Sequence, residues 1–431
     1  MSSIRPKERD AVIQSLRAGV VPRLGQQLIQ VGRLRELNTM LTDVDRIADG
    51  GSTFRLVIGE YGSGKTFFLN LVRAVALEKK LVTVHADLTP DRRLHATGSQ
   101  ARSLYAELTK NMATRTRPEG GALAGIVEKF IADAKSQAKA KSTVPDDVIR
   151  ERLSQLTEMV NGYDFASVIA SYCRGFEESN DQLKADAIRW LRGEFSTKTD
   201  ARNALGVRAI VDDAAVYDQL KLLARFVRLA GYGGLLVCLD ELVNLYKLAN
   251  TQARQANYEQ ILRILNDSLQ GSADGLGFVL GGTPEFLLDT RRGLYSYPAL
   301  QSRLAENSFA TAGRVDLSGP ILRLMSLQPE EFYVLLQKIR HVYAFGDETK
   351  YLISEDGIMA FMSHCSRRLG DTYFRTPRTT ITAFVNLLAV LEQNPGTEWQ
   401  DVIGDVEVEK DLGGDSDRII PQDDELASFQ L

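Results

Sequence analysis

The chain of 431 residues is about three times the length of a typical domain, so two or three structural units around a sizeable buried core are expected. With 44% hydrophobic and 25% charged residues, 34 glycines and 12 prolines, it matches the average for soluble globular proteins, which excludes a disordered or collagen-like chain. The formal net charge is -4, yet residues 401–431 carry ten acids against Lys410 and Arg418 and leave residues 1–400 at +4, a balance that permits a nucleic-acid partner without demanding one.

Apolar positions at Leu34, Leu37, Leu41, Val44 and Ala48 step by three and four, which predicts an amphipathic helix closed by Gly50 and Gly51. A strand over Phe54 to Ile58 follows. The glycine-rich turn Gly59 to Thr66 then runs into a helix with a core face of Phe68, Leu69, Val72 and Val75, and a strand over Leu81 to Ala86 comes next. That succession implies a right-handed parallel crossover and an α/β fold built on a parallel sheet. From about Pro90 to Val211 the pattern is helical alone, with faces such as Leu104, Leu108 and Met112, and reads as an insertion. The α/β pattern resumes with a helix over Tyr217 to Leu229, a strand over Leu235 to Leu239, a helix around Tyr258 to Leu269, a strand over Leu276 to Leu280 and a last strand near Ile321 to Leu324. Helical periodicity through Phe332, Leu335 and Ile339, through Ile358 and Phe361, and through Ile381, Phe384 and Leu388 predicts a small lid. The expected organisation is a core in two parts, residues 1–89 and 212–326, with the insertion over 90–211, the lid over 327–394 and an acidic, partly ordered tail over 395–431.

Gly59-Glu60-Tyr61-Gly62-Ser63-Gly64-Lys65-Thr66 matches GxxxxGK[ST], the P-loop, with a buried-type strand before it and a helix after it. In such a loop backbone N–H groups point at phosphate oxygens, and side chains at Gly59, Gly62 and Gly64 would block that approach or forbid the positive φ values required. Lys65 supplies a point charge for the β and γ phosphates, and Thr66 offers a hydroxyl to Mg²⁺. Nucleotide hydrolysis also needs an acid for the magnesium shell and a base that orients water, expected at the end of a strand adjacent to the P-loop strand. Asp240 and Glu241 end the apolar run Leu235 to Leu239 and fit as magnesium acid and water-polarising base. The plainer alternative is a helix beginning with two acids that satisfy its dipole.

Taken together, Val31-Gly32-Arg33 with Glu36-Leu37, the P-loop, Cys238-Leu239-Asp240-Glu241 and Gly281-Gly282-Thr283-Pro284-Glu285 resemble the AAA+ superfamily, in its branch near Orc-like initiators and STAND ATPases. Within that branch the sequence is most similar to the bacterial ATP-binding proteins of BREX phage defence, adding Arg291-Arg292-Gly293-Leu294-Tyr295 and Leu300-Gln301-Ser302-Arg303-Leu304 to the shared blocks. The resemblance implies a Mg²⁺-dependent ATPase with a helical lid. It makes Val31 and Gly32 adenine contacts, the loop from Gly59 through Phe67 the ATP cradle, and Thr283 the sensor 1 position. Arg303 stands where such chains often carry an arginine finger for a neighbouring subunit, and equally reads as a surface arginine on a helix. Arg378, after Thr376 and Pro377, stands where a sensor 2 arginine reaches back to the nucleotide, with Arg375 competing for the role. The chain departs from Orc-like initiators in having fewer than forty residues after Glu392, so a complete carboxyl-terminal DNA-reading domain is not expected.

The implied partners are further copies of the chain, a helicase or another defence protein, and DNA bound weakly without sequence preference. Lys110, Arg115, Arg117, Lys135, Lys139 and Lys141 of the insertion are the basic residues available for DNA, and a solvated helix surface explains them as well. A slowly hydrolysing STAND-like switch or scaffold, and an Orc-like initiator or helicase loader, are the competing functional readings. Cys173, Cys238 and Cys365 lie far apart and with the four histidines form no ligand spacing, so no disulfide framework or zinc site is expected and a reducing cytoplasm is the natural compartment. No apolar run reaches membrane-spanning length, and the first residues lack a signal-peptide core.

Overall fold

The computed structural model describes residues 4–310, 315–369 and 377–404. The described residues fall into two compact units, one drawn from residues 4–37, 57–71 and 323–404, the other from residues 38–56 and 72–322. The tail beyond residue 404, with Thr376 and Arg375, lies outside the described residues.

A five-stranded parallel sheet, drawn mainly from the second unit, comprises β1 (Thr53–Ile58), β2 (Val82–Asp87), β3 (Leu235–Asp240), β4 (Leu276–Gly282) and β5 (Ile321–Arg323), in the order β2-β3-β4-β1-β5. This is an α/β architecture consistent with a P-loop nucleotide-hydrolase core. Every residue of β1, β3 and β4 is buried, which is why these strands are near-continuous apolar runs with no alternation. The register runs from Val82 opposite Leu235 to Asp87 opposite Asp240, and from Leu235 opposite Leu276 to Leu239 opposite Leu280. One expectation is corrected: the strand that ends in Asp240 is not adjacent to β1, because β4 lies between them. Fully buried strands look alike in sequence, so the apolar pattern locates them along the chain and leaves their lateral order open.

Six helices fill residues 100–205: Gln100–Lys110, Leu123–Lys141, Pro145–Ser154, Gly162–Glu177, Asp181–Leu191 and Lys198–Leu205. An aromatic cluster joins three of them to the helix Val216–Leu229. Phe226 lies 5.3 Å from Phe130 and 5.7 Å from Phe165, and Phe165 meets Trp190 edge-on at 6.3 Å. Trp190 is buried and donates its indole N–H to the Ala209 carbonyl at 2.8 Å.

The helix Leu34–Ala48 buries Met40, Asp43, Val44 and Ile47, while Leu34 is exposed, so its inner face is offset from the apolar stripe read in sequence. The offset brings an acid inward to meet Arg55, in the middle of β1. Arg55 Nε reaches Asp43 Oδ2 at 2.5 Å and Nη2 reaches Oδ1 at 3.1 Å, with side chains 7% and 2% exposed. Arg55 Nη1 also donates to the carbonyls of Leu317, at 2.9 Å, and Gly319, which fixes the chain before β5.

In the first unit, one apolar cluster packs the helix Pro6–Arg17 (Val12, Ile13, Leu16) against the helices Pro329–Tyr343 (Phe332, Leu336, Ile339), Glu355–Leu369 (Ile358, Phe361) and Pro377–Gln393 (Phe384, Leu388). Arg9 lies over the rings of Tyr343 and Phe345, at 4.6 and 4.8 Å, and clamps the first helix to these later ones.

Removing one partner of the buried Arg55–Asp43 pair leaves an uncompensated charge, so Arg55→Ala should lower unfolding stability by about 3–5 kcal/mol. Urea denaturation measures this, and a loss under about 1 kcal/mol would show that the pair does not anchor β1.

Candidate functional site

The first unit carries the glycine-rich loop. It joins Ile58, the last residue of β1, to the helix Lys65–Glu78. Gly62 and Gly64 take φ values of 77° and 82°, the left-handed region that a side chain penalises. A Cβ at Gly59 would press on the Ser63 hydroxyl and lie 3.1 Å from the Leu324 carbonyl. Lys65 folds back over the loop and donates to the Gly59 and Glu60 carbonyls at 2.8 and 2.9 Å. The first N–H groups of the following helix have no intrahelical acceptors, and the helix dipole adds partial positive charge there, so the loop and helix start form a place for an anion. Thr66 is exposed on the first turn, Phe67 packs against the apolar cluster, and the buried Ser63 hydroxyl has no hydrogen-bond partner.

Three further sequence-predicted residues belong to the same unit. Val31 is half-buried against the apolar cluster. Gly32, at φ 66°, packs so closely on the Glu331 carboxylate that a Cβ would clash with it. Arg378 meets the loop: its Nη1 donates to the Tyr61 hydroxyl at 3.0 Å, its guanidinium lies 5.6 Å from the Tyr61 ring centroid, and its stem covers Gly19. The helix of Arg378 begins at Pro377, as expected for a first-turn proline.

The second unit carries the acids. Asp240 is buried at the end of β3, and its Oδ1 accepts the Glu241 N–H at 2.9 Å. Glu241 is exposed and stands at φ 58°, a left-handed conformation that costs a side-chain-bearing residue about 1–2 kcal/mol. The short helix Val243–Tyr246 starts after it, with Leu242 at its N-cap and no acid within its first turn. The Leu242 N–H bonds the Gly281 carbonyl of β4 at 3.1 Å and holds the turn. One strand over, Thr283 follows β4, where its hydroxyl caps the helix Pro284–Leu288 by accepting from Phe286 N–H at 3.4 Å. Glu241 and Thr283 thus end neighbouring strands of one sheet edge.

The arginines between β4 and β5 divide by burial. Arg292 is half-buried, donating to the Tyr246 and Leu248 carbonyls at 3.1 and 3.2 Å, whereas Arg291 is exposed. Arg303 ends the helix Pro298–Arg303, is exposed, and donates to its own helix at the Ala299 carbonyl, 3.1 Å away. In the insertion, Arg115 pairs with Glu78 at 3.3 Å and Lys135 with Glu177 at 3.0 Å, while Lys139 and Lys141 are exposed in the last turn of their helix.

Two contributions escaped the sequence reading. Asp87 ends β2 level with Asp240, and the ending Val-His-Ala-Asp, so like Val-Cys-Leu-Asp, was the available signal. Arg33 was noted as part of a motif without a role. It stands at φ 61° and donates through Nη2 to the carbonyl of Ser63 and, at 3.4 Å, to that of Met325. Burial pushes its guanidinium below the ordinary arginine value, with Glu36 and Glu331 acting in the opposite direction.

The family model for the BREX system ATP-binding protein BrxC/D matches residues 4–407. The chain belongs to that family. It is accordingly an ATP-binding protein of the BREX phage-defence system. No curated protein matches it. Among the described residues of this BrxC/D protein no helix is long and apolar enough to cross a membrane, and no group of three or more His, Cys, Asp or Glu side chains could hold a metal by itself.

The left-handed turn at Glu241 predicts a stability cost carried by its side chain. Glu241→Gly should raise unfolding stability by about 0.5–1 kcal/mol, whereas Glu241→Ala, which keeps a Cβ, should not. A glycine variant less stable than the alanine variant in chemical denaturation would show that the turn carries no strain.

Proposed function

We propose that this BrxC/D protein is a Mg²⁺-dependent ATPase whose nucleotide cycle controls a defence assembly. The observation that carries the reading is the loop Gly59–Thr66, with two left-handed glycines and Lys65 laid across it, opening a helix in a chain of an ATP-binding family. In this reading the loop from Gly59 to Phe67 holds the phosphates, Lys65 neutralises them, and Val31 and Gly32 line the adenine. The donor set fits Mg²⁺, which is held in such sites by a hydroxyl, one carboxylate acting through water, and the phosphates themselves, so no cluster of protein acids is needed. Thr66 and Asp240 are its proposed ligands, and the bound ion would neutralise charge developing on the phosphates. Glu241 polarises the attacking water, Thr283 orients it, and Arg378 reaches the phosphates from the lid side, with Tyr61 as its neighbour on the loop.

Beyond ATP, the reading includes self-association, with Arg303 offered to a neighbouring copy, a helicase or other defence protein as partner, and weak sequence-tolerant DNA binding. Lys135 is engaged by Glu177, so Lys139 and Lys141 carry the DNA proposal.

Lys65→Ala should weaken ATP binding at least tenfold, roughly 1.4 kcal/mol, while Glu241→Gln should bind ATP normally and leave it intact. Calorimetry with single-turnover assays checks both. Equal ATP affinity for wild type and Lys65→Ala rejects the phosphate role, and wild-type hydrolysis by Glu241→Gln rejects the base.

For DNA, log affinity should fall linearly with log salt, by about 0.9 per duplex phosphate neutralised. Replacing Lys139 and Lys141 together by Glu should weaken binding and flatten that slope. Unchanged binding and slope would move the contact elsewhere.

A further inference from the structure

Arg33 is placed where a base contact would be expected from its neighbours Val31 and Gly32, yet its guanidinium is spent on the backbone of the phosphate loop. Nη2 donates to the Ser63 carbonyl, and Nη1 lies 3.5 Å from the point where a Cβ on Gly64 would stand. The peptide joining Ser63 to Gly64 is trans and planar, so its carbonyl and its N–H point in opposite directions. Holding the carbonyl on the guanidinium therefore turns the Gly64 N–H away from Arg33. In a cradle for phosphate it is the N–H groups that must face the anion, and any carbonyl turned inward would repel it. A fixed donor that captures a carbonyl from outside removes that wrong orientation.

The same side chain has other anchors. It reaches the Met325 carbonyl at 3.4 Å and is flanked by Glu36 and Glu331. Glu331 is itself held in the capping box of the helix Pro329–Tyr343, where from the N3 position its carboxylate accepts the N–H of the N-cap Gln328 at 3.0 Å. Two successive left-handed residues, Gly32 and Arg33, make the turn that delivers the guanidinium.

We propose that Arg33 is a positioning residue for the phosphate cradle, acting through the Ser63–Gly64 peptide, and not a contact for the adenine base. The proposal rests on the reading of Gly59–Thr66 as the ATP site and names the part of the ligand that Arg33 serves, the phosphate chain.

The test uses the full chain and three probes: ATP, tripolyphosphate and adenosine. Arg33→Asn removes the guanidinium while keeping a residue that tolerates the left-handed turn, and Arg33→Lys keeps one donor. Arg33→Asn should lose at least tenfold in affinity for both ATP and tripolyphosphate, with adenosine binding unchanged, and Arg33→Lys should fall between it and wild type. Thermal melting of the unliganded variants shows whether each is folded, and if Arg33→Asn is not, the same comparison is made with Arg33→Lys. Loss of adenosine binding with tripolyphosphate binding intact would overturn the proposal and make Arg33 a base contact, and unchanged affinity for all three probes would overturn it outright. Wild-type protein that binds neither ATP nor tripolyphosphate would overturn the ATP reading together with it, an outcome distinct from a failure confined to the Arg33 variants.

Discussion

A charged arginine in the middle of a buried strand has to be met by an acid at a fixed place, and the region leading to the glycine-rich loop is arranged around that constraint. The buried guanidinium of Arg55 needs acceptors, so β1 is placed by the demand for Asp43 on the helix before it and for the carbonyls of Leu317 and Gly319 ahead of β5. Such a pair contributes little net stability compared with a well-packed apolar substitute, but it is intolerant of displacement. The register of β1, whose end becomes the loop, is thereby tied both to the helix that precedes it and to a segment more than 260 residues away.

Similar economy of position recurs at each candidate site residue. Glu241 is turned out of the line of β3 by a left-handed backbone, and the Leu242 to Gly281 hydrogen bond to the neighbouring strand keeps it there. Strain of this kind persists where surrounding contacts over-determine the geometry, and it concentrates at functional residues. In the loop the same conformational region is occupied by Gly62 and Gly64, where it carries little cost. The difference is one of side chain: the glycines turn without a Cβ to penalise them, whereas Glu241 takes the same turn while carrying a carboxylate.

Strand positions and the loop were legible because their signals are local. A buried parallel strand is a run of apolar residues, and a phosphate loop is a fixed spacing of glycines before lysine. Lateral strand order was not legible, since β3 and β4 are both fully buried and equally apolar, and the strand that separates Asp240 from β1 had to be seen. Asp43 defeated the periodicity argument for a related reason: an acid on the inner face of a helix looks like an error in the pattern until Arg55 is found opposite it. Arg33 was recognised as part of a motif, but its use depends on the orientation of one peptide plane, which no residue type encodes. The fit of Arg378 to Tyr61 likewise joins residues far apart in the chain, so neither predicted the other.

These arrangements belong to a chain of the BrxC/D family, for which ATP is the ligand to explain. Hydrolysis of that ATP with Mg²⁺ as cofactor is what we propose. Release of phosphate from ATP by the purified wild-type chain, followed with Mg²⁺ present and again with the ion chelated, tests it most directly. Phosphate release that requires Mg²⁺ and ceases on chelation is the predicted result, whereas ATP that binds and stays intact over many hours with Mg²⁺ present would contradict the claim.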